Sequence, residues 1–458
     1  MNQTLEDTII AVSTPAGHGG IGIVRLSGPE ALAISRKIFS IKEPEPAVIP
    51  QKMCFGYLLD QESRETLDAG YLCYFPAPHS YTREEVVEIH LHGSPILLNE
   101  AVRLGIRAGA RLAHPGEFTF RAYLNGRIDI IQAEAINDLI RACSLDQARI
   151  SFKQMEGSLS RKIAGVREKI VELLTLVETR LEFPDEEIEI NPGQVGQVLR
   201  ELIGELGRLA GSYEQGRALL EGLTVAILGK TNVGKSTLFN ALLEEERAIV
   251  TPYPGTTRDF IRENIQVDGV LIKLVDMAGF GQASHPVEEE GIIRGQRLAE
   301  KADGLLVVLD ASREESPEDF ELLERFNDKK KLLVFNKSDL KQVINRKKIL
   351  DSCPGVDWIE VSALTGKNLD RLRKMMLDTF APRLEKQEEI LLHQRQKVLV
   401  DSIKGSLENG LKMLEDGAGE ELVAEAIREA LPAIGQLTGE IKSQEVLDQI
   451  FSRFCIGK

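Results

Sequence analysis

Cysteine is scarce and scattered. Cys54, Cys73, Cys143, Cys353 and Cys455 form no Cys-x-x-Cys pair, which excludes a disulfide framework and suits a reducing compartment. No apolar run approaches the roughly 18 residues of a membrane-spanning helix. No basic-then-apolar stretch marks a secretion signal. Positive charge is in deficit, with 56 Lys and Arg against 71 Asp and Glu, a formal net charge of −15. Broad electrostatic attraction to nucleic acid is therefore excluded as the main driving force, and an RNA substrate would need a local patch or a basic partner. Strict heptads are not sustained, which argues against independent coiled coils. These absences describe a soluble, cytoplasmic protein with no membrane partner.

The 458 residues, 43% hydrophobic and 28% charged, are enough for two or three domains with separate cores. The first 120 or so alternate between strand and helix patterns. Strands are expected at Thr8–Ser13, Ile21–Ser27, Tyr57–Leu59, Ala69–Phe75 and Val86–Leu91, and helices at Ala31–Phe39 and Pro95–Ala108, an α+β domain. The glycine-rich Pro15–Gly20 lacks a following Lys-Ser/Thr and reads as a sharp turn. His90 and His92 share one strand face, but without a third ligand they read as satisfied polar residues rather than a metal site. Amphipathic helical patterns then run from Ile130 to about Leu220, interrupted by the acidic Glu182–Glu187. They resume at Glu388–Leu414 and Glu420–Ile434. The simplest topology is a helical domain built from both flanks with another domain inserted.

The inserted stretch carries the chemistry. An apolar strand, Leu223–Leu228, leads into Gly229-Lys-Thr-Asn-Val-Gly-Lys-Ser236 and then a helical pattern, Thr237–Leu243. That context makes G-x-x-x-x-G-K-S a phosphate loop: glycines let backbone N–H groups wrap a polyphosphate at a helix N-terminus. Asn232, Val233, Gly234, Lys235, Ser236 and Thr237 are the expected phosphate contacts. Lys235 supplies charge to the outer phosphates and Ser236 a hydroxyl for Mg²⁺. A strand at Leu271–Val275 ends at Asp276-Met-Ala-Gly279, a carboxylate placed to hold Mg²⁺ through water. Another, Lys331–Phe335, ends at Asn336-Lys337-Ser-Asp339. A carboxylate there can accept both the ring N–H and the exocyclic amine of guanine, a donor pair adenine lacks. Trp358–Val361 then leads to Ser362-Ala363, whose backbone caps the guanine oxygen. In the Thr251–Asp259 stretch a threonine can complete the Mg²⁺ shell. Five elements in this order imply a GTPase. The position after Gly279 is Phe280, which cannot orient an attacking water as a glutamine would. Glu288, Glu289 and Glu290 are the nearest polar substitutes, with a solvated helix start as the alternative role.

Further stretches carry a specific resemblance: Asp7-Thr-Ile9, Gly19–Gly28, His114-Pro-Gly-Glu-Phe118 and Phe454-Cys-Ile-Gly-Lys458. Over the whole chain the sequence resembles the bacterial tRNA uridine-modification GTPases, the MnmE (TrmE) family. The resemblance implies an N-terminal domain at 1–122 that binds 5-formyl-tetrahydrofolate or methylene-tetrahydrofolate and forms a homodimer. It implies a helical domain at 123–218 and 382–458, and a Ras-like P-loop GTPase domain inserted at 219–381. It implies work with a flavoprotein partner (MnmG, or GidA) in a heterotetramer that adds an aminomethyl-type group to C5 of the wobble uridine of certain tRNAs.

Residue by residue, the resemblance places folate contacts at Arg25, Glu88, Arg127 and Lys458, with Arg127 where a lysine is common. It implies potassium activation, with K⁺ held by Asn232 and the loop residues Thr251, Tyr253 and Thr256, and Mg²⁺ by Ser236 and Thr257. It matches the water-orienting glutamate to Glu288. Thr231 stands in place of a usual proline and Met277 in place of a usual threonine. Cys455 is either a nucleophile or a structural or substrate contact, since no activating His or Lys is paired with it in the sequence. Two other classes share parts of the pattern. A ribosome-assembly GTPase would add a basic RNA-binding domain, and no basic GxxG pattern follows residue 380. A non-catalytic nucleotide or folate sensor would have no need of the hydrolytic set.

Overall fold

The computed structural model describes every residue except 1–5, 43–47, 61, 64, 183–191, 245–261, 269, 277–296, 382–388, 442 and 458. The chain divides into two compact units, Met1–Ile140 with Ser151–Ile203 and Ser402–Lys458, and Arg141–Ile150 with Gly204–Asp401.

In the first unit seven strands form one sheet: β1 (Ile9–Val12), β2 (Gly19–Ser27), β3 (Phe39–Ile41), β4 (Met53–Asp60), β5 (Glu65–Phe75), β6 (Val86–Gly93) and β7 (Arg111–Leu112). Their spatial order is β3-β4-β5-β6-β2-β1-β7, antiparallel except for β1 with β7. Alternation sorts the side chains. Val24, Leu26, Leu58, Leu72, Val87 and Ile89 are buried in one core with helices Ala31–Ile38 and Pro95–Arg107. Each such burial stabilises by about 1.5–3 kcal/mol. The intervening residues, Arg25 opposite Glu88 and Tyr71 opposite His90, face the other way.

The helical part of this unit starts from Asp129. Its Oδ1 accepts the Gln132 N–H at 2.8 Å while Gln132 Oε1 accepts the Asp129 N–H at 3.0 Å, a reciprocal cap on helix Ile130–Ile140. Helix Ser158–Glu182 buries Ile163, Val166, Ile170, Leu174 and Val177 at helical spacing. It packs on helices Glu420–Arg428 and Ala430–Thr438 from the far end of the chain. Both flanks thus contribute to one helical body.

The second unit holds a six-stranded sheet: β8 (Leu223–Leu228), β9 (Arg262–Val267), β10 (Val270–Asp276), β11 (Gly304–Asp310), β12 (Lys331–Asn336) and β13 (Trp358–Glu360). The order is β13-β12-β11-β8-β10-β9, parallel throughout except for edge strand β9. Apolar cores cover both faces, as a parallel sheet requires. The strand order reverses at β8, so the carboxyl end of β8 is where such a sheet opens a ligand crevice.

Strands β3, β7, β9 and β11 add to those expected from sequence, and two expected helices are corrected. The pattern from Glu388 becomes helical only at Gln394. The buried Leu391 and Leu392 before it spend their N–H groups on Ser212 Oγ at 3.0 Å and Gln396 Oε1 at 3.1 Å. The Glu420–Ile434 pattern splits at Glu429, because Pro432 has no N–H and its ring clashes with the carbonyl a turn earlier.

Candidate functional site

At the end of β8 the backbone turns through conformations that dictate the loop's composition. Gly229 has φ +152° and Gly234 φ +94°. A Cβ at Gly229 would lie 2.5 Å from the Val308 carbonyl, and one at Gly234 would lie 2.4 Å from Asn336 Nδ2. Only glycine fits both places. Asn232, at φ +64°, also lies in the left-handed region. Helix Lys235–Glu244 follows at once, so its first N–H groups point into the loop.

The site's charges fit a magnesium-bound polyphosphate. Lys235 is buried, and its Nζ donates to the carbonyls of Gly229 at 3.0 Å and Lys230 at 2.7 Å. Burial pushes its pKa down, against the opposing pull of the Asp276 charge. Phosphate oxygens would relieve that desolvation. Ser236 Oγ donates to Asp276 Oδ2 at 2.9 Å. Asp276 Oδ1 is buried and has no hydrogen-bond partner among the described residues, an orphaned oxygen that a hydrated cation would satisfy.

The guanine motif is laced to the loop. Asn336 donates through Nδ2 to the Val233 carbonyl at 2.9 Å and accepts the Ala363 N–H through Oδ1 at 3.0 Å. Lys337 Nζ donates to the Asn232 carbonyl at 2.8 Å. Ser362 Oγ donates to Asp339 Oδ1 at 2.6 Å, orienting that carboxylate. The structure thus brings Asn232, Val233, Gly234, Lys235, Ser236, Asp276, Asn336, Lys337, Asp339, Ser362 and Ala363 into one region, with Thr237 on the helix that follows. Thr251, Tyr253, Thr256, Thr257, Met277, Gly279, Phe280, Glu288, Glu289, Glu290 and Lys458 lie outside the described residues.

A second polar cluster occupies the face of the first unit's sheet opposite the helices. Arg25 Nη2 lies 2.7 Å from Glu88 Oε1, and His90 Nε2 lies 3.5 Å from Glu88 Oε2. Burial pushes the Glu88 carboxyl up, but the His90 hydrogen bond and the Arg25 charge outweigh it and leave the pKa below the usual range. The Arg25 guanidinium sits 5.6 Å from the Tyr81 ring centre and 5.7 Å from that of Phe118. Arg127 sits 5.5 Å from Tyr81 and donates to the Ser80 carbonyl. Phe118 is fully buried beneath Arg25, so the part-exposed Tyr81 ring, a carboxylate and two guanidiniums are the groups left to meet a flat heterocycle with donor edges and an anionic tail. Sequence reasoning missed Tyr81, which no local pattern marks, and met Phe118 only as the end of the His114–Phe118 stretch, without a role.

Residues 451–457 return to the same sheet. Ser13 Oγ donates to the Gly457 carbonyl at 3.1 Å, and the Gly116 N–H to the Cys455 carbonyl at 3.3 Å. Gly457, at φ +97°, passes so close that a Cβ would lie 2.0 Å from the Val12 carbonyl. Phe451 packs on Phe120 and Phe454 with ring centres 5.1 and 5.6 Å away. The Cys455 side chain stays exposed. Pro15–Gly20 leads into β2 rather than a helix. His92 Nδ1 pairs with Asp68 Oδ1 at 2.7 Å, and among the described residues no His, Cys, Asp and Glu group is arranged to hold a metal ion.

The model described as "GTP-binding protein TrmE N-terminus" matches residues 8–127, and the "MnmE helical domain" model matches residues 130–455. A protein named "tRNA modification GTPase MnmE" from Aquifex aeolicus (strain VF5) is 41% identical over 456 residues, covering 99% of this chain and 100% of its own. Those of the same name from Thermoanaerobacter sp. (strain X514) and Moorella thermoacetica are 39% and 40% identical, each covering 99% of this chain. With its N-terminal sheet, paired helical flanks and inserted guanine-nucleotide site, this chain belongs to the MnmE family of tRNA modification GTPases.

Proposed function

We propose that the chain is a potassium-activated GTPase that works on tRNA with a flavoprotein partner of the MnmG (GidA) kind. In this reading the pair adds an aminomethyl or carboxymethylaminomethyl group to C5 of the wobble uridine, in the cytoplasm. The working boundaries are 1–122 for the folate-binding and dimerisation domain, 123–218 and 382–458 for the helical domain, and 219–381 for the GTPase. The observation that carries the proposal is the pairing of two sites in one chain. One is a guanine-nucleotide site laced through Asn336; the other is the Arg25–Glu88–Tyr81–Arg127 cluster on the sheet to which residues 451–457 return.

The chain's own groups divide the work. The loop amides and Lys235 hold the phosphates, Asp339 reads guanine, and Ser236 with Thr257 and Asp276 would hold Mg²⁺, which offsets charge on the transferred phosphoryl group. Asn232, Thr251, Tyr253 and Thr256 would hold K⁺ when two GTPase domains of a homodimer meet. That pairing supplies transition-state stabilisation of several kcal/mol in this mechanistic class. Glu288 orients the attacking water. In the other site, Arg25, Arg127 and Lys458 suit the anionic tail of a tetrahydrofolate and Glu88 the donor edge of its ring. The bound 5-formyl- or methylene-tetrahydrofolate is the one-carbon source. The exposed Cys455 lies in the segment closing that sheet, and its role is that of a nucleophile or of a structural or substrate contact.

Steady-state GTP hydrolysis in matched potassium and sodium buffers, across protein concentrations, tests the mechanism. Strong potassium stimulation that grows with concentration is expected, and equal rates in the two salts would refute cation-bridged pairing. Glu288→Ala should bind GTP as the parent does while losing about a hundredfold or more in turnover. Unchanged turnover removes Glu288 from the mechanism.

A further inference from the structure

Two of the acids at and after the end of β11, Asp310 and Asp319, belong to none of the nucleotide motifs and are tied to the phosphate loop, Asp319 directly and Asp310 through Lys337. Asp310, with a side chain only 7% exposed, sits at the end of β11 with Oδ2 2.7 Å from Lys337 Nζ. Its Oδ1 accepts the Ser312 N–H at 3.0 Å and the Ser312 hydroxyl at 2.6 Å. Arg313 Nε is more remote, at 3.6 Å. Lys337 passes the anchor on by donating to the Asn232 carbonyl. Asn232 holds a left-handed backbone, which a non-glycine residue keeps only where its surroundings impose it. Further along, Asp319 Oδ2 accepts the Ser316 N–H at 2.9 Å and lies 2.8 Å from Lys230 Nζ, which also donates to Ser316 Oγ at 2.6 Å. Lys230 and Asn232 are thus both moored to one segment, 310–319.

We propose that Asp310 is a positioning residue for the guanine-nucleotide site, holding the Asn232 backbone through Lys337, with Asp319–Lys230 as a second strut on the same loop. The inference rests on the nucleotide reading of this site. Its physical content is preorganisation: a loop already held in its bound shape loses less entropy when nucleotide arrives. Removing a mooring frees the empty loop, so the loss falls on binding. Once phosphates fill the loop they hold it themselves, so the chemical step is spared.

Asp310→Asn is the sharpest probe, because its amide oxygen still accepts from Ser312 while the charge facing Lys337 is gone. Binding and release of the fluorescent analogue N-methylanthraniloyl-GDP would be measured on the full chain for the parent, Asp310→Asn, Lys337→Met and the double variant. We expect Asp310→Asn to weaken binding about tenfold through faster release. Turnover at saturating GTP should stay within about twofold of the parent. Asp310→Asn should add nothing further once Lys337 is methionine. Parent-like binding in Asp310→Asn, or a loss that adds in full to that of Lys337→Met, overturns the proposal. A parent chain that does not bind the analogue overturns the nucleotide reading instead. If Asp310→Asn does not fold, the same cycle on Asp319→Asn and Lys230→Met decides the matter by the same criterion.

Discussion

At the scale of single residues, the nucleotide site was legible because phosphate chemistry restricts what can stand there. Gly234 is the strictest case: its positive φ and the nearby Asn336 amide, already committed to the Val233 carbonyl, leave no room for a methyl group. Gly234→Ala should destabilise the second unit by about 1–3 kcal/mol and abolish nucleotide binding, as read by thermal melts with and without GDP. Retained GDP-dependent stabilisation would show that the close approach is not rigid. Asp339→Ala removes the acceptor for two guanine donors. It should weaken GDP binding by roughly two orders of magnitude, measured by calorimetric titration. Tyr81 and Phe118 were illegible for a different reason. They meet Arg25 from distant positions, and nothing in their local spacing tells the part-exposed Tyr81 from the fully buried Phe118. Asp310 lay between these cases. It ends an apolar strand, as Asp276 and Asn336 do, but belongs to no motif.

Elements were legible at most of the strong apolar runs, β11 being the exception, and obscure where partners came from afar. β8, β10 and β12 stand out as apolar runs, whereas β7 is two residues long and exists through its pairing with β1. Near β7, helix Glu117–Leu124 is locked by charge. Glu117 Oε1 lies 2.6 Å from Arg111 Nη2 and 3.0 Å from Arg121 Nη2, while Asp7 bridges the same two arginines. Burial pushes both carboxyls up, but the arginines win and hold them below their ordinary values of 4.5 for Glu117 and 3.8 for Asp7. Depressed folded-state values mean that this stability is fully present above the ordinary values and is lost as pH falls through the folded ones. A melting profile against pH should therefore be flat near neutrality and drop below that range. Glu117→Gln, which leaves Arg121 paired with Asp7 and Glu84 alone, should cost about 1–3 kcal/mol at pH 7 and flatten the acid limb. A variant as stable as the parent, with the same acid limb, would sink this account.

For the whole molecule, the insertion was legible because strand patterns are bracketed by helical ones, and the pairing of the two flanks follows from their complementary apolar faces. Each unit carries its own core, so heating should give more than one transition. GDP at a hundred times its Kd should raise only the transition of the nucleotide-binding unit, by about 2.7 kcal/mol of linkage stabilisation. A single transition shifting as one would refute independent unfolding. The closure of the first sheet by residues 451–457 has a further consequence in time. The hydroxyl of Ser13 and the carbonyl of Gly457 are 444 residues apart. At about 5–20 residues per second, synthesis separates them by roughly 20–90 s. Through that interval the emerging sheet stands open on the ribosome with its Val12–Ser13 end not yet met by Gly457. A product terminated before residue 451 would carry the strands of the nucleotide-binding unit complete while the first unit's sheet still lacked its closing segment.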